Sequence, residues 1–233
     1  CNGAECQIKL EDHPKKDSGF CEKSKLTIKD KGVIILITGI PNTEYQISQK
    51  NWRSGMRVAM IQMDMQLGKP EANFEKAEKL VRMAAELKPD VITLPETWNT
   101  GFFPRENLKE ASDVDLEQTK KLFSRLAKEY RVNIIAGSVA NCRDEKIYNT
   151  AAVFNRDGEV VMEYDKVHLF SPSGEHEYFE HGKNICNFEL DGIPCSLVIC
   201  YDIRFPELIR SEMLAGSKVQ FVVAQWPDTR LLH

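Results

Sequence analysis

The chain has 233 residues, 42% hydrophobic and 28% charged, with a formal net charge of −4. That is the balance of a soluble globular protein, and it carries no basic footprint for nucleic acid. No apolar run approaches the roughly 20 residues that span a bilayer, and the opening "CNGAECQIKLEDHPKK" lacks the apolar core of a secretion signal.

Residues 1–55 are polar and irregular, with only "LTIKDKGVIILITGI" reading as a strand or two. The sequence starts at Cys1, and Met56 reads as a natural start. The preceding segment is therefore expected to be an atypical N-terminal extension, disordered or artefactual: a leader, a fusion remnant or a mis-joined reading frame. Regular periodicity begins at Arg57. "RVAMIQMD" predicts a strand. "PEANFEKAEKLVRMAAEL" puts Phe74, Ala77, Leu80, Val81 and Ala84 on one helical face, with Pro70 near the start. "DVITLPE" predicts a strand ending at Pro95. "DLEQTKKLFSRLAKEY" aligns Leu116, Leu122, Phe123, Leu126 and Tyr130 along a helical stripe, and "VNIIAGSVA" is a strand.

"IYNTAAVF" and "EVVMEYDK" flank "NRDG", a hairpin turn in which Gly158 supplies positive φ. A Gly-, Pro- and Ser-rich loop, "SPSGEHEYFEHGKN", follows. "ICNFEL" and "IPCSLVIC" flank Asp191-Gly192, a second hairpin. "PELIRSEMLAG" is a helix stopped at Gly216, and "VQFVVAQWP" is a last strand. Alternating strands and helices with two hairpins predict a layered α/β architecture of mixed strand direction. Sites in such folds sit where strands give way to loops.

Three polar residues stand at such ends: Glu96 after "VITLP", Lys166 after "VVMEYD" and Cys200 after "IPCSLVI". Singly, each has an ordinary reading: a solvated loop carboxylate, a surface ion pair, a small buried hydrophobe. Together they are a sufficient kit for acyl transfer. A thiol of pKa about 8.5 is a few per cent thiolate at neutral pH. An ammonium nearby would lower that value, and a carboxylate would take the proton. Spacing alone does not bring the three together. His168, His176 and His181 match no common metal pattern, and Cys1, Cys6 and Cys21 lack a paired arrangement for zinc. Cys142, Cys186 and Cys195 read as ordinary thiols. Seven scattered cysteines, an odd number, fit a reducing, cytoplasmic setting better than a disulfide framework. Trp98, Phe102 and Phe103 either wall a substrate pocket or simply pack.

"LPETWNTGF" at 94–102, "YDKVHLF" at 164–170 and "LVICYDIRFPEL" at 197–208 resemble, in order, the glutamate, lysine and cysteine motifs of the nitrilase superfamily of carbon–nitrogen hydrolases. "GEHEYF" and "AQWP" further resemble its ω-amidase-like branch. The resemblance runs from about Met56 to His233 and implies a four-layer αββα sandwich. It implies Glu96 as general base and acid, Cys200 as nucleophile, and Lys166 with the backbone N–H of Tyr201 around the developing oxyanion. A second glutamate that orients the lysine falls on Glu175, with Glu177 as the competitor. Asp202, Arg204 and Glu207 are expected to brace the turn and the following helix. No metal or organic cofactor is implied. The expected substrate is a small linear carboxamide, with nitriles, N-carbamoyl compounds or an inactive fragment or binding subunit as alternatives. No nucleic-acid or membrane partner is expected. The domain is expected to occupy 56–233 with its C-terminal part missing, and to form a homodimer when full length.

Overall fold

The computed structural model describes residues 56–226, and the backbone of two strands at 25–29 and 33–38. In chain order the elements are β1 (Lys25–Lys29), β2 (Val33–Thr38), β3 (Met56–Ile61), α1 (Pro70–Ala85), β4 (Val91–Thr93), α2 (Leu108–Ala111) and β5 (Asp113–Val114). There follow α3 (Glu117–Tyr130), β6 (Asn133–Arg143), β7 (Lys146–Phe154), β8 (Val160–Asp165), β9 (Asn187–Leu190), β10 (Ile193–Ile199), α4 (Pro206–Leu214) and β11 (Val219–Val223). Apart from the two early strands, the extension expected over 1–55, with Cys1, Cys6 and Cys21, lies outside the described residues.

The strands form two sheets, one ordered β1-β2-β3-β4-β6-β7-β8 with β5 on β6, the other β11-β10-β9. In the large sheet β3, β4 and β6 are parallel, and β6, β7 and β8 are antiparallel. Successive strand residues face opposite sides, and the apolar pattern uses both. Ala59, Ile92, Ile134 and Phe154 pack with Phe74, Leu80, Val81, Phe123 and Leu126 of α1 and α3. Their neighbours Val58, Val91, Ile135 and Val153 face the small sheet, where they meet Phe188, Leu190, Leu197, Ile199 and Phe221. On the far side of β10, α4 brings Glu212 against the Cys186 amide. The layers therefore run helix, sheet, sheet, helix, as the αββα expectation required.

Local chemistry sets the element ends. The second large helix starts later than its apolar stripe, because Asp115 and Leu116 take left-handed φ of 50° and 58°. Its first amides are satisfied from a distance: Asp113 Oδ1 and Oδ2 accept from the N–H groups of Gln118 and Thr119. Leu116 still fills the same core. Both expected hairpins form, and a third, between β6 and β7, turns on Asp144 and Glu145 with φ of 50° and 65°. Two left-handed residues in a two-residue loop match strand twist; no Asn-Gly or Asp-Gly pair announced this one.

A bulge in β6 between Ile135 and Ser138 positions the loop that carries Glu96. Gly137 sits in it with φ +66°, and a Cβ there would stand 2.1 Å from the Pro95 carbonyl oxygen. Ser138 then grips the loop, donating its N–H to Pro95 O and accepting the Thr97 N–H on Oγ. Only a residue without a side chain allows that approach. Gly137→Ala is expected to lower stability by at least about 2 kcal/mol, a Tm fall of roughly 4–8 °C. Gly192→Ala, at φ +82° with nothing within 4 Å, should cost less. Equal thermal melts for the two variants would contradict this account of the bulge.

Candidate active site

Each expected residue sits where a strand ends. Glu96 follows β4, Lys166 follows β8 with its N–H on Asn149 O at 2.9 Å, and Cys200 follows β10. The turn at Cys200 is sharp: its φ is +46°, a left-handed conformation that costs a residue with a Cβ on the order of 1 kcal/mol. Asp202 holds that turn. Its carboxylate is fully buried and accepts from the Ile199 N–H at 3.1 Å, the Tyr164 hydroxyl at 2.8 Å and the His168 N–H at 2.8 Å. The His168 ring nitrogen Nδ1 lies 2.9 Å from the same carboxylate. Asp202 thus ties the strand end bearing Lys166 to the turn bearing Cys200.

The three side chains converge. Lys166 Nζ lies 2.8 Å from Glu96 Oε1, and 3.0 and 2.9 Å from the two oxygens of Glu175. All three residues are at most 1% exposed. The Cys200 thiol sits close enough to Glu96 and Lys166 to feel both charges. Glu96 Oε2 accepts the Gln225 N–H at 3.1 Å, and Glu175 Oε2 accepts the Phe170 N–H at 2.6 Å. Of the two competing glutamates, Glu175 is buried in this cluster and Glu177 is exposed.

Two carboxylates around one ammonium leave an excess of negative charge away from water. Burial pushes the Glu96 carboxyl above its ordinary range, and the Lys166 ammonium only partly reverses this while Glu175 adds to it. Burial also works against the Lys166 ammonium, but Glu96 and Glu175 outweigh it and hold its pKa above the usual lysine value. The expectation that the ammonium lowers the thiol pKa is not the net result. Burial and the Glu96 charge push Cys200 up to about 12, and Lys166 does not offset them. At pH 7 such a thiol is about one part in 10⁵ thiolate. A thiol held protonated gains nucleophilicity when a neighbouring base takes its proton, and Glu96 is the carboxylate beside it.

A cavity of about 460 Å³ opens onto Cys200 and Lys166, with walls from Phe102, Phe170, Tyr201 and Trp226. Tyr201 follows Cys200 in the 3₁₀ turn 200–204. Of the aromatic residues expected as walls, only Phe102 serves. Trp98 is fully buried between Phe74 and Phe123, with its indole N–H on Ala136 O at 2.7 Å, and Phe103 packs on Phe179. Arg204, expected to brace the turn, ends the 3₁₀ turn 200–204 and also faces the cavity. Its side chain lines the cavity and stacks on Trp226 at 5.2 Å, with no carboxylate paired to it among the described residues. Asn149 was missed altogether; its Nδ2 donates to both Glu96 and Glu175. Its sequence signal, a polar pair Asn149-Thr150 inside the otherwise apolar run "IYNTAAVF", does not distinguish it from an outward-facing strand residue. No group of three metal-ligating side chains occurs among the described residues. Cys142, Cys186 and Cys195 are buried free thiols.

Residues 57–233 match the Carbon-nitrogen hydrolase family. The chain is 40% identical over 176 residues to a 2-oxoglutaramate amidase of Bacillus subtilis (strain 168), covering 76% of this chain and 67% of that protein. It is 34% identical over 166 residues to the omega-amidase NIT2 of Mus musculus, covering 66% and 58%. Among solved structures, Nit3 of Saccharomyces cerevisiae, a member of branch 10 of the nitrilase superfamily, shares the fold at TM-score 0.67 and 23% identity, over 74% of this chain and 65% of that one. The carbon-nitrogen hydrolase XC1258 of Xanthomonas campestris gives 0.66 at 25%, over 76% and 67%. The chain thus spans roughly two thirds of the length of these relatives, and 58% of the mouse one. Motifs, layers and family model agree over the same residues, and the chain belongs to the carbon-nitrogen hydrolase family.

Proposed function

We propose that the protein hydrolyses the C–N bond of a small linear carboxamide, releasing acid and ammonia through a thioester on Cys200. The observation that carries this reading is that Lys166, hydrogen-bonded to the buried Glu96, lines one cavity together with Cys200. Cys200 Sγ attacks the amide carbon as its proton passes to Glu96. The carbonyl electrons move onto oxygen, and that oxyanion is held by Lys166 and the Tyr201 N–H. Glu96 then hands the proton to nitrogen, the C–N bond breaks and ammonia leaves. A water gives a proton to Glu96 and attacks the thioester; the C–S bond breaks and the thiolate recovers the proton. Glu175 fixes the lysine. The scheme is redox-neutral.

The cavity wall supports a narrower choice. Arg204 presents a guanidinium with no carboxylate partner among the described residues, and the relatives include enzymes named for 2-oxoglutaramate and ω-amides. The proposed substrate is therefore an ω-amide whose other end is an acid. The proposed setting is the cytoplasm, in keeping with the free thiols of the described cysteines, and the proposed assembly is a homodimer. Among the described residues no helix is long and apolar enough to cross a membrane.

Ammonia release from 2-oxoglutaramate tests the reading. Cys200→Ala should abolish turnover, and Glu96→Gln should lower kcat by about 10² to 10⁴. Parent-like rates in both variants would overturn the mechanism. In the parent, kcat/KM should rise with pH along an acid limb above the ordinary glutamate value of about 4.3, because Glu96 must be ionised to act and its pKa is raised. A limb at or below that value would contradict the charge balance. Arg204→Leu should raise KM for the anionic amide about 10- to 100-fold and leave a neutral amide of equal length unaffected. Equal losses on both substrates would reject the carboxylate contact.

A further inference from the structure

Asn149 lies in the middle of β7 and is fully buried. Its Nδ2 donates to Glu96 Oε1 at 3.1 Å and to Glu175 Oε1 at 2.9 Å. Its main-chain oxygen accepts the Lys166 N–H at 2.9 Å. One residue therefore touches all three charged members of the cluster. Both amide hydrogens are spent on carboxylates, and Oδ1 has no partner among the described residues. This orientation of the amide is the one that two carboxylate oxygens demand, since only the nitrogen donates.

The placement answers a charge problem. Glu96 and Glu175 meet the same ammonium, and their like charges repel. A proton on one carboxyl would relieve the repulsion, but it would disable whichever carboxylate must accept a proton from the thiol. A second cation between them would also relieve it, and would make Glu96 a weaker base. A neutral donor of two hydrogen bonds favours the ionised form of Glu96 and ties it to Glu175 without adding a positive charge. The groups facing Glu96 are Lys166 beyond β8, Glu175 on the turn 175–177, Cys200 beyond β10, the Gln225 N–H beyond β11, and Asn149 itself. Among the described residues, Asn149 is the one uncharged side-chain donor that bridges the carboxylates.

We infer that Asn149 is a positioning residue that bridges Glu96 and Glu175 around Lys166 and so keeps Glu96 able to take the Cys200 proton. The inference rests on the proposed roles of Glu96 and Cys200. Loss of the two donors raises the Glu96 pKa, so the base is protonated over a wider range of acid pH.

The test follows alkylation of Cys200 by iodoacetamide against pH, read by peptide mass spectrometry, alongside circular dichroism. In the parent the rate should show an acid limb that Glu96→Gln removes. Asn149→Ala should move that limb up by about one to two pH units, with a loss of about 10- to 100-fold on the acid side that fades as pH rises. Asn149→Asp, nearly isosteric, replaces the donors with a third carboxylate and should move the limb the same way, which keeps the test open if the alanine variant does not fold. A limb unmoved in a folded Asn149 variant, while Glu96→Gln still removes it, overturns the role of Asn149 and leaves the proposed function standing. Identical profiles for the parent and Glu96→Gln overturn both.

Discussion

An ammonium held between two carboxylates, where water hardly reaches, is the constraint on which the rest of this structure depends. Burying one charge costs several kcal/mol even after relaxation, and an ion pair recovers that only when its remaining hydrogen-bonding capacity is met. Lys166, Glu96 and Glu175 meet it with each other, with Asn149 and with the N–H groups of Gln225 and Phe170. The cluster still carries more negative than positive charge. Burial raises the Glu96 pKa, with the Lys166 ammonium opposing and the Glu175 charge adding to it, so Glu96 holds a proton more readily than an exposed glutamate.

Holding such a cluster requires backbone that most sequences would avoid. Glu96 is followed by Thr97 at φ +42°, and Cys200 itself stands at +46°. Left-handed residues with side chains persist only where their surroundings over-determine them. Around Glu96 the β6 bulge does this, through Gly137 and Ser138. Around Cys200 the buried Asp202 carboxylate does it, by gathering donors from Ile199, Tyr164 and His168. The same contacts set how close the two loops come. Stability of the fold and geometry of the site are therefore coupled through a few buried polar side chains rather than through the apolar core at large.

Strand periodicity made the ends after "VITLP", "VVMEYD" and "IPCSLVI" legible, and the polar residue placed at each end drew attention to Glu96, Lys166 and Cys200. Glu175 was preferred to Glu177 in the sequence, and the 3₁₀ turn at 175–177 buries the former and exposes the latter. What escaped was whatever depends on the direction of a side chain from an unremarkable position. Asn149 sits in a strand buried on both faces, where alternation carries no label. Trp98 turns into the helix-side core because the bulge draws its loop against β6, and no local pattern marks that. Arg204 closes the short turn that begins at Cys200, and its side chain lies over Trp226 in the cavity wall. The thiol shift has a sign set by the competition of burial and two opposite charges, which a list of neighbours along the chain does not weigh.

The central claim is a covalent bond between substrate carbon and the sulfur at position 200. Mass spectrometry of peptides from protein quenched with acid within milliseconds of mixing with 2-oxoglutaramate measures it directly. The account predicts a mass gain equal to the amide less ammonia on the peptide that carries Cys200. The same gain on a peptide carrying Cys142, Cys186 or Cys195, with the Cys200 peptide unmodified, would contradict it.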